Sequence, residues 1–334
     1  MKKFLIPQSG NFYKANLHTH TTISDGRLTP EETKKEYLKK GISIVAFTDH
    51  DVFIPHNDLT DDNFLALNGF EVEINQPFGD KHRYTTKCCH ICFVSLDKNT
   101  TKQICWHREK YLFSNAVNYR DKVDFDDTLP DYEREYSPEC ISEMMKIGRD
   151  NGFFVTYNHP TWSGETFNEY LNYENMHALE IHNSECCDLG IEEHNERVYD
   201  DMLRAGKKLY CVATDDMHRL VSLGKGWISI KADELEYSKI TNAMLKGHFY
   251  ASTGPEILEL YVEDDTLHVK TSPACKITLT AFSRFYDNRS DETGGLTQAS
   301  FKISPQFDCY RLTIVDKDGK RAYTNAYSVN DLLK

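Results

Sequence analysis

No stretch of the chain approaches the ~18 consecutive apolar residues that a membrane-crossing helix needs, so a membrane-spanning protein is not expected. Positive charge is short as well: 39 Lys and Arg stand against 52 Asp and Glu, a net charge of −13. That deficit argues against a broad basic surface for nucleic acid, while a small anionic substrate held through cations stays compatible with it. No export signal is apparent, because the basic start MKKFLIPQSGNF has an apolar stretch broken at Pro7 and too short for a signal peptide. A cytoplasmic protein is therefore expected. The ten cysteines then read as reduced thiols, since disulfide frameworks belong mostly to small secreted chains.

What is there is a repeated design. Seven short apolar runs are each bordered by His, Asp or Glu. YKANLHTH ends on His18 and His20, ISIVAFTDH on Asp49 and His50, and FLALNGFEVE on Glu71 and Glu73. HICFVSL begins at His90, FFVTYNHP ends on His159, ALEIHNS carries Glu180 and His182, and LYCVATDDMH ends on Asp215, Asp216 and His218. Alternate residues of a strand point the same way, so His18 and His20 can grip one ion. Imidazole with carboxylate suits zinc, manganese or iron, and hydrolysis is the usual consequence.

Between these runs lie helix signals. Thr29 precedes Pro30 and Gly41 closes that segment; Ser137 precedes Pro138 and Gly152 closes a second. A third helix is expected over 191–206. Strands alternating with helices predict a parallel sheet with right-handed crossovers, and about seven units favour a barrel with its polar clusters at the strands' C-terminal ends. Residues 97–137 are polar, aromatic-rich and poorly periodic, and are expected as an insertion over the barrel mouth. After about residue 250 short alternating strands follow, two of them joined by an Asp-Gly turn, and a small β-sandwich is expected there.

The stretches NLHTHTTISDGRLTPEE and GISIVAFTDHD, followed in order by GFEVE, HICF, YNHP and DDMH, closely resemble the PHP (polymerase and histidinol phosphatase) metallohydrolases across roughly residues 14–230. The resemblance implies an α/β fold: a distorted seven-stranded (β/α)7 PHP-type barrel over 1–250, with a small C-terminal β-sandwich over 251–334. It implies two or three divalent ions (Zn, Mn or Fe) and hydrolysis of a small phosphorylated substrate, a nucleotide phosphate or short oligonucleotide among the options, by a metal-bridging hydroxide.

Carried over residue by residue, His18 and His20 would bind the first ion, with Asp216 returning to it. Glu71 would bridge to a second ion held by His90 and His159, and Asp25, His50 and His218 would form a third site. Glu71, His159 and Asp216 would thereby carry the catalytic work. Glu73 and Asp215 are rivals to Glu71 and Asp216 that fit the motifs less well. Asp49 and Asp51 are expected to orient imidazoles.

From position alone, Arg219 beside His218 is a catalytic and phosphate-binding candidate, with Arg108 or Lys225 as further cations. Trp162 in HPTWSG could stack on a substrate ring. The cysteines of CCHIC are expected to turn away from His90 into the core, and His182 to be a core or supporting residue. A homo-oligomer is compatible with the sequence. The rival reading is a glycan-binding or scaffold protein with structural metals, and hydrolysis of a non-phosphate bond is a third.

Overall fold

The computed structural model describes residues 2–80 and 82–333. It is a mixed α/β molecule dominated by one large mixed sheet. The helix Pro30–Lys39 starts where expected: Thr29 and Glu32 form a reciprocal capping box with Pro30 in the first turn. The helix Pro138–Asp150 is capped by Ser137, whose side chain accepts from the Cys140 amide. The third helix is shorter than expected, spanning Glu196–Arg204. Residues before it are drawn to the strand Ala178–Asn183 instead, through Asn183 N–H to Glu193 O and Asn195 N–H to Ile181 O.

Asn11–Asn16, Ile44–Phe47 and Leu65–Asn75 run parallel in succession, as do Phe153–Asn158, Ala178–Asn183 and Tyr210–Thr214. The strand between these blocks, Cys88–Ser95, is antiparallel to both neighbours, so the sheet is not the parallel one expected. The reversal explains why His90 precedes its apolar run. Its strand enters the sheet at the edge where the neighbours leave, so His90 pairs with Glu73 on one side and Asn158 on the other.

No closed barrel is formed by the ladders of the described residues. Tyr210–Thr214 lies beside Trp227–Ala232, but the two exchange no ladder among the described residues. A single parallel bridge between Thr19 and Met217 instead brings the far ends of the layer together. Strands covered on both faces read as unbroken apolar runs, and the core residues Ile44, Phe70, Phe93, Val155 and Leu179 come from such strands.

The sheet continues past the expected boundary at residue 250, which falls inside the strand Phe249–Ser252. That strand pairs with Trp227–Ala232 on one side and Arg321–Thr324 on the other. A separate four-stranded sheet joins Ile257–Glu263, Thr266–Ala274 and Leu296–Lys302 to Lys3–Phe4 from the start of the chain. Its apolar face shares one core with Cys309–Val315 and Lys276–Thr280 of the large sheet. The expected Asp-Gly turn is present, with Gly319 at φ +77° between Cys309–Val315 and Arg321–Thr324. Here a left-handed backbone calls for glycine.

Candidate metal centre

The sheet edge at which these strands end is polar, and its side chains meet around a cavity of about 430 Å³. All nine expected ligands come together: six imidazoles (His18, His20, His50, His90, His159, His218) and three carboxylates (Asp25, Glu71, Asp216). His18 Nε2 lies 3.1 Å from His20 Nε2, 3.1 Å from Glu71 Oε1 and 3.2 Å from Asp216 Oδ1. His20 Nε2 is 3.1 Å from the same Asp216 oxygen. Glu71 occupies the centre, with Oε1 3.3 Å from His90 Nδ1 and 3.4 Å from His159 Nε2, and Oε2 3.3 Å from His50 Nδ1. His218 Nε2 stands 3.3 Å from Asp25 Oδ1.

The partition differs in detail from the expected one. Asp25, His50 and His218 form one group as anticipated, with His20 added; His159 groups with His18 and Asp216, and His90 with His50 and Glu71. The rings of His90 and His159 still adjoin, 4.8 Å apart.

Local structure positions these groups at a cost. His159 and Asp216 have φ +26° and +52°, a region that non-glycine residues seldom adopt and that tends to cluster at functional sites. His18 Nδ1 donates to Glu180 Oε1 at 2.7 Å, which turns its Nε2 towards the other ligand atoms. Glu180 also accepts from the His159 amide at 2.9 Å and from Thr214 Oγ1 at 2.7 Å. His218 Nδ1 donates to the Asp216 carbonyl at 2.9 Å.

The buried acids and imidazoles perturb one another strongly. Burial alone would lower His18, but Asp216, with Cys92, Glu71 and Glu180 behind it, lifts it well above the usual imidazole range. Burial likewise opposes the ionised forms of Glu71 and Asp216, yet His18 together with His90 and His20 holds both well below ordinary carboxylates. His50 is pushed down by burial and by His20. His50 Nδ1, Glu71 Oε2, both nitrogens of His90 and Asp216 Oδ1 are buried without any hydrogen bond. Buried polar atoms normally find partners, and here the orphans are ligand-type atoms facing each other. The residues fit divalent cations of the N/O-binding class.

Other expectations are corrected. Asp49 orients no imidazole; it accepts from the amides of Thr21 and Ser24 at 2.7 and 3.1 Å and fixes that turn. Asp51 pairs with Arg134 at 2.5 Å, both buried. Glu73 and Asp215 remain the less fitting rivals, each with other partners: Glu73 is held by Arg83 at 3.1 Å, and Asp215 accepts from the amides of Gly224, Lys225 and Gly226. Cys88 and Cys92 are not turned away from His90, because positions two apart share a strand face; only Cys89 is. Cys92 Sγ lies within 4.8 Å of donor atoms of His18 and Glu71.

Trp162 lines the cavity, its ring 5.3 Å from His90 and 5.1 Å from His159. Arg219 also lines it, but its Nε donates to Glu185 at 2.9 Å. Arg108 and Lys225 do not line it: they pair with Asp131 and Asp188, both at 2.6 Å. From the 97–137 segment, Phe113 and Ser114 reach the cavity. Sequence reading missed Arg27 and Arg83, which line the wall, and left Glu180 without a role.

No family model matches the chain, and no curated protein does. Similar solved structures include a two-domain protein from Bacteroides vulgatus ATCC 8482 containing a predicted PHP-like metal-dependent phosphoesterase, at 13% identity and TM-score 0.45, covering 98% of each chain. They include an amidohydrolase from Chromobacterium violaceum with bound sulfate and no metal, at 14% and 0.41, covering 70% of this chain and 96% of that one. They also include the lesion-specific endonuclease EndoQ of Pyrococcus furiosus, at 14% and 0.41, covering 70% of this chain and 56% of that one. Likenesses this distant say nothing about chemistry. The chain resembles the PHP metallohydrolases through its motifs, and nine ligand-type side chains of those motifs cluster at this sheet edge.

Proposed function

We propose that the chain is a metal-dependent phosphoesterase acting on a small phosphorylated substrate, with nucleotide phosphates and short oligonucleotides as the candidate classes. The observation that carries this reading is the convergence of six imidazoles and three carboxylates on one cavity, with buried ligand atoms left unpartnered. His18, His20 and Asp216 would hold one ion, His90 and His159 a second, and Asp25, His50 and His218 a third, with Glu71 between the first two. Such ions, when bound, act as Lewis acids towards phosphoryl oxygens and make water available as a nucleophile near neutral pH.

The chain's own groups do the rest. Glu180 fixes the His18 tautomer, and Glu71 presents one oxygen to each side of the cluster. Arg27, Arg83 and Arg219 line the wall with positive charge suited to a phosphate, since preorganised cations favour charge that develops at phosphorus. Trp162 and Phe113 offer aromatic faces for a ring on the substrate. The 97–137 segment caps the mouth, and the protein works in the cytoplasm.

The test is phosphate release from a panel of phosphomonoesters, nucleotides and short oligonucleotides. Demetallated protein is reloaded with Zn, Mn or Fe, with Glu71→Gln as control. Metal-dependent release that is lost at least a hundredfold in the control is expected. Release from no member of the panel overturns the proposal, and metal-dependent cleavage of amides alone reassigns the bond attacked.

A further inference from the structure

A second set of ligand-type side chains lies outside this cavity. His182 stands near the end of the strand Ala178–Asn183, and Cys187 sits in the short helix Ser184–Asp188. His194 lies on the returning chain, where it bridges His182 in antiparallel fashion. The three side chains line a cavity of about 310 Å³ whose opposite wall is the hairpin turn Asp318–Arg321. His182 Nδ1 is 3.3 Å from His194 Nδ1 and 4.0 Å from Cys187 Sγ. One donor atom from each residue falls within 4.8 Å of the others.

The proton positions follow from the partners. The Ser184 hydroxyl has one proton to give, and it faces the Thr214 carbonyl at 3.0 Å and the Asp215 carboxylate at 3.2 Å. Having donated to one of these, it accepts from His182 Nε2–H at 3.2 Å. In the Nε2–H tautomer that this hydrogen bond supports, the His182 Nδ1 lone pair points at His194 and Cys187. A metal-binding histidine shows the same arrangement, with its far nitrogen held by a neighbouring acceptor.

Burial, then His194 and nearby lysines, push His182 down to about 3, and burial with Arg321 lowers His194. Two nitrogens at ~2.0–2.1 Å from one tetrahedral zinc stand roughly 3.3 Å apart, the separation of the two Nδ1 atoms.

We propose that His182 Nδ1, His194 Nδ1 and Cys187 Sγ form a second cation site, specific for a thiophilic cation, Zn(II) or Cu(I), and separate from the N/O-rich cavity. Two imidazoles with a thiolate are a soft donor set that selects these ions over Mg or Mn. Binding forms one metal–sulfur bond, and the thiol proton leaves to solvent; nothing is oxidised or reduced. The charged wall is partly balanced, Lys225 pairing with Asp188 at 2.6 Å and Arg321 with Glu196. A Cu(I) thiolate adds no net charge there and a Zn(II) thiolate adds one. Either ion would pin the 184–194 excursion to the strand end.

The test does not depend on the hydrolase reading. Full-length demetallated protein is titrated with Co(II), whose thiolate charge-transfer absorption reports sulfur ligation. Separate arms use Zn(II) and Cu(I) against a chromophoric competitor, and the tighter arm identifies the ion. The wild type and Glu71→Gln are expected to show the sulfur band. Cys187→Ser is expected to lose the band and one equivalent of cation, and His194→Gln, at an exposed position, to bind that equivalent at least tenfold more weakly. An unchanged band and stoichiometry in Cys187→Ser overturns the proposal, as does unchanged affinity in His194→Gln.

Discussion

The three arginines on the wall of the main cavity are not equivalent. Arg83 is held by Glu73 at 3.1 Å, and Arg219 donates through Nε to Glu185 at 2.9 Å. Arg27 has no ion pair among the described residues, while its amide is anchored to the His218 carbonyl at 3.0 Å. An incoming anion must compete with Glu73 or Glu185 for the first two, but meets Arg27 directly. A hydrogen bond to a charged group contributes about 1.5–3 kcal/mol. Arg27→Ala is therefore expected to raise KM for a phosphorylated substrate by roughly tenfold or more with kcat nearly unchanged, and Arg219→Ala to raise it less. Steady-state kinetics on both variants decides, and the opposite ranking would remove Arg27 from the binding wall. Sequence favoured Arg219 because adjacency to His218 is visible in one dimension. The Glu185 that engages it, 34 residues upstream, is not. The side chains that meet at the cavity were legible as a group because His-x-His and Asp-x-His at strand ends follow the period of two. Glu180 was not, since one acid inside an apolar run gives no sign of its partner.

Between elements, Glu165 acts as a buried clamp. It accepts from Tyr157 of the strand Phe153–Asn158 at 2.5 Å, from Tyr136 ahead of the helix Pro138–Asp150 at 3.0 Å, and from Tyr173. Burial pushes its carboxyl up to about 7 against the hydroxyls that lower it. An unfolded glutamate titrates near ~4.3. Between those values the unfolded chain has lost the proton and the folded chain keeps it, so stability falls as pH rises through that window and levels off above about 7. The effect is on the order of 4 kcal/mol at most. Glu165→Gln is expected to remove this component, seen as a smaller drop in urea midpoint from pH 5 to pH 8 than in wild type; equal drops would show that Glu165 does not titrate there. Such clamps lie outside what periodicity can show, as does strand direction. The antiparallel course of Cys88–Ser95 left one trace in the sequence, the placement of His90 ahead of its apolar run. That trace becomes readable once the ligand must sit at the common edge. Helix starts at Thr29 and Ser137 were legible because caps are local chemistry.

Across the whole molecule, two apolar cores are joined by one hydrogen-bonded sheet through Phe249–Ser252, and buried charge crosses the same seam. Arg311, 2% exposed on the strand Cys309–Val315, donates to Asp200 of the helix Glu196–Arg204 at 2.9 Å, with Glu196 3.6 Å away. A continuous sheet and a buried ion pair should make the cores unfold together. A cation bound to the first core should then stabilise the second as well, by ~2.7 kcal/mol at a hundred times its dissociation constant. Calorimetry of the wild type is expected to give one transition that moves up on metal loading. Arg311→Ala removes one partner of the pair and leaves Asp200 buried and unpaired, at a cost of about 3–5 kcal/mol. Because that cost falls on the C-terminal strands, the variant is expected to show two transitions, of which only the upper one responds to metal. Two transitions in the wild type, or an upward shift of both in Arg311→Ala, would mean that the sheet through Phe249–Ser252 does not transmit stability in the way its pairing implies.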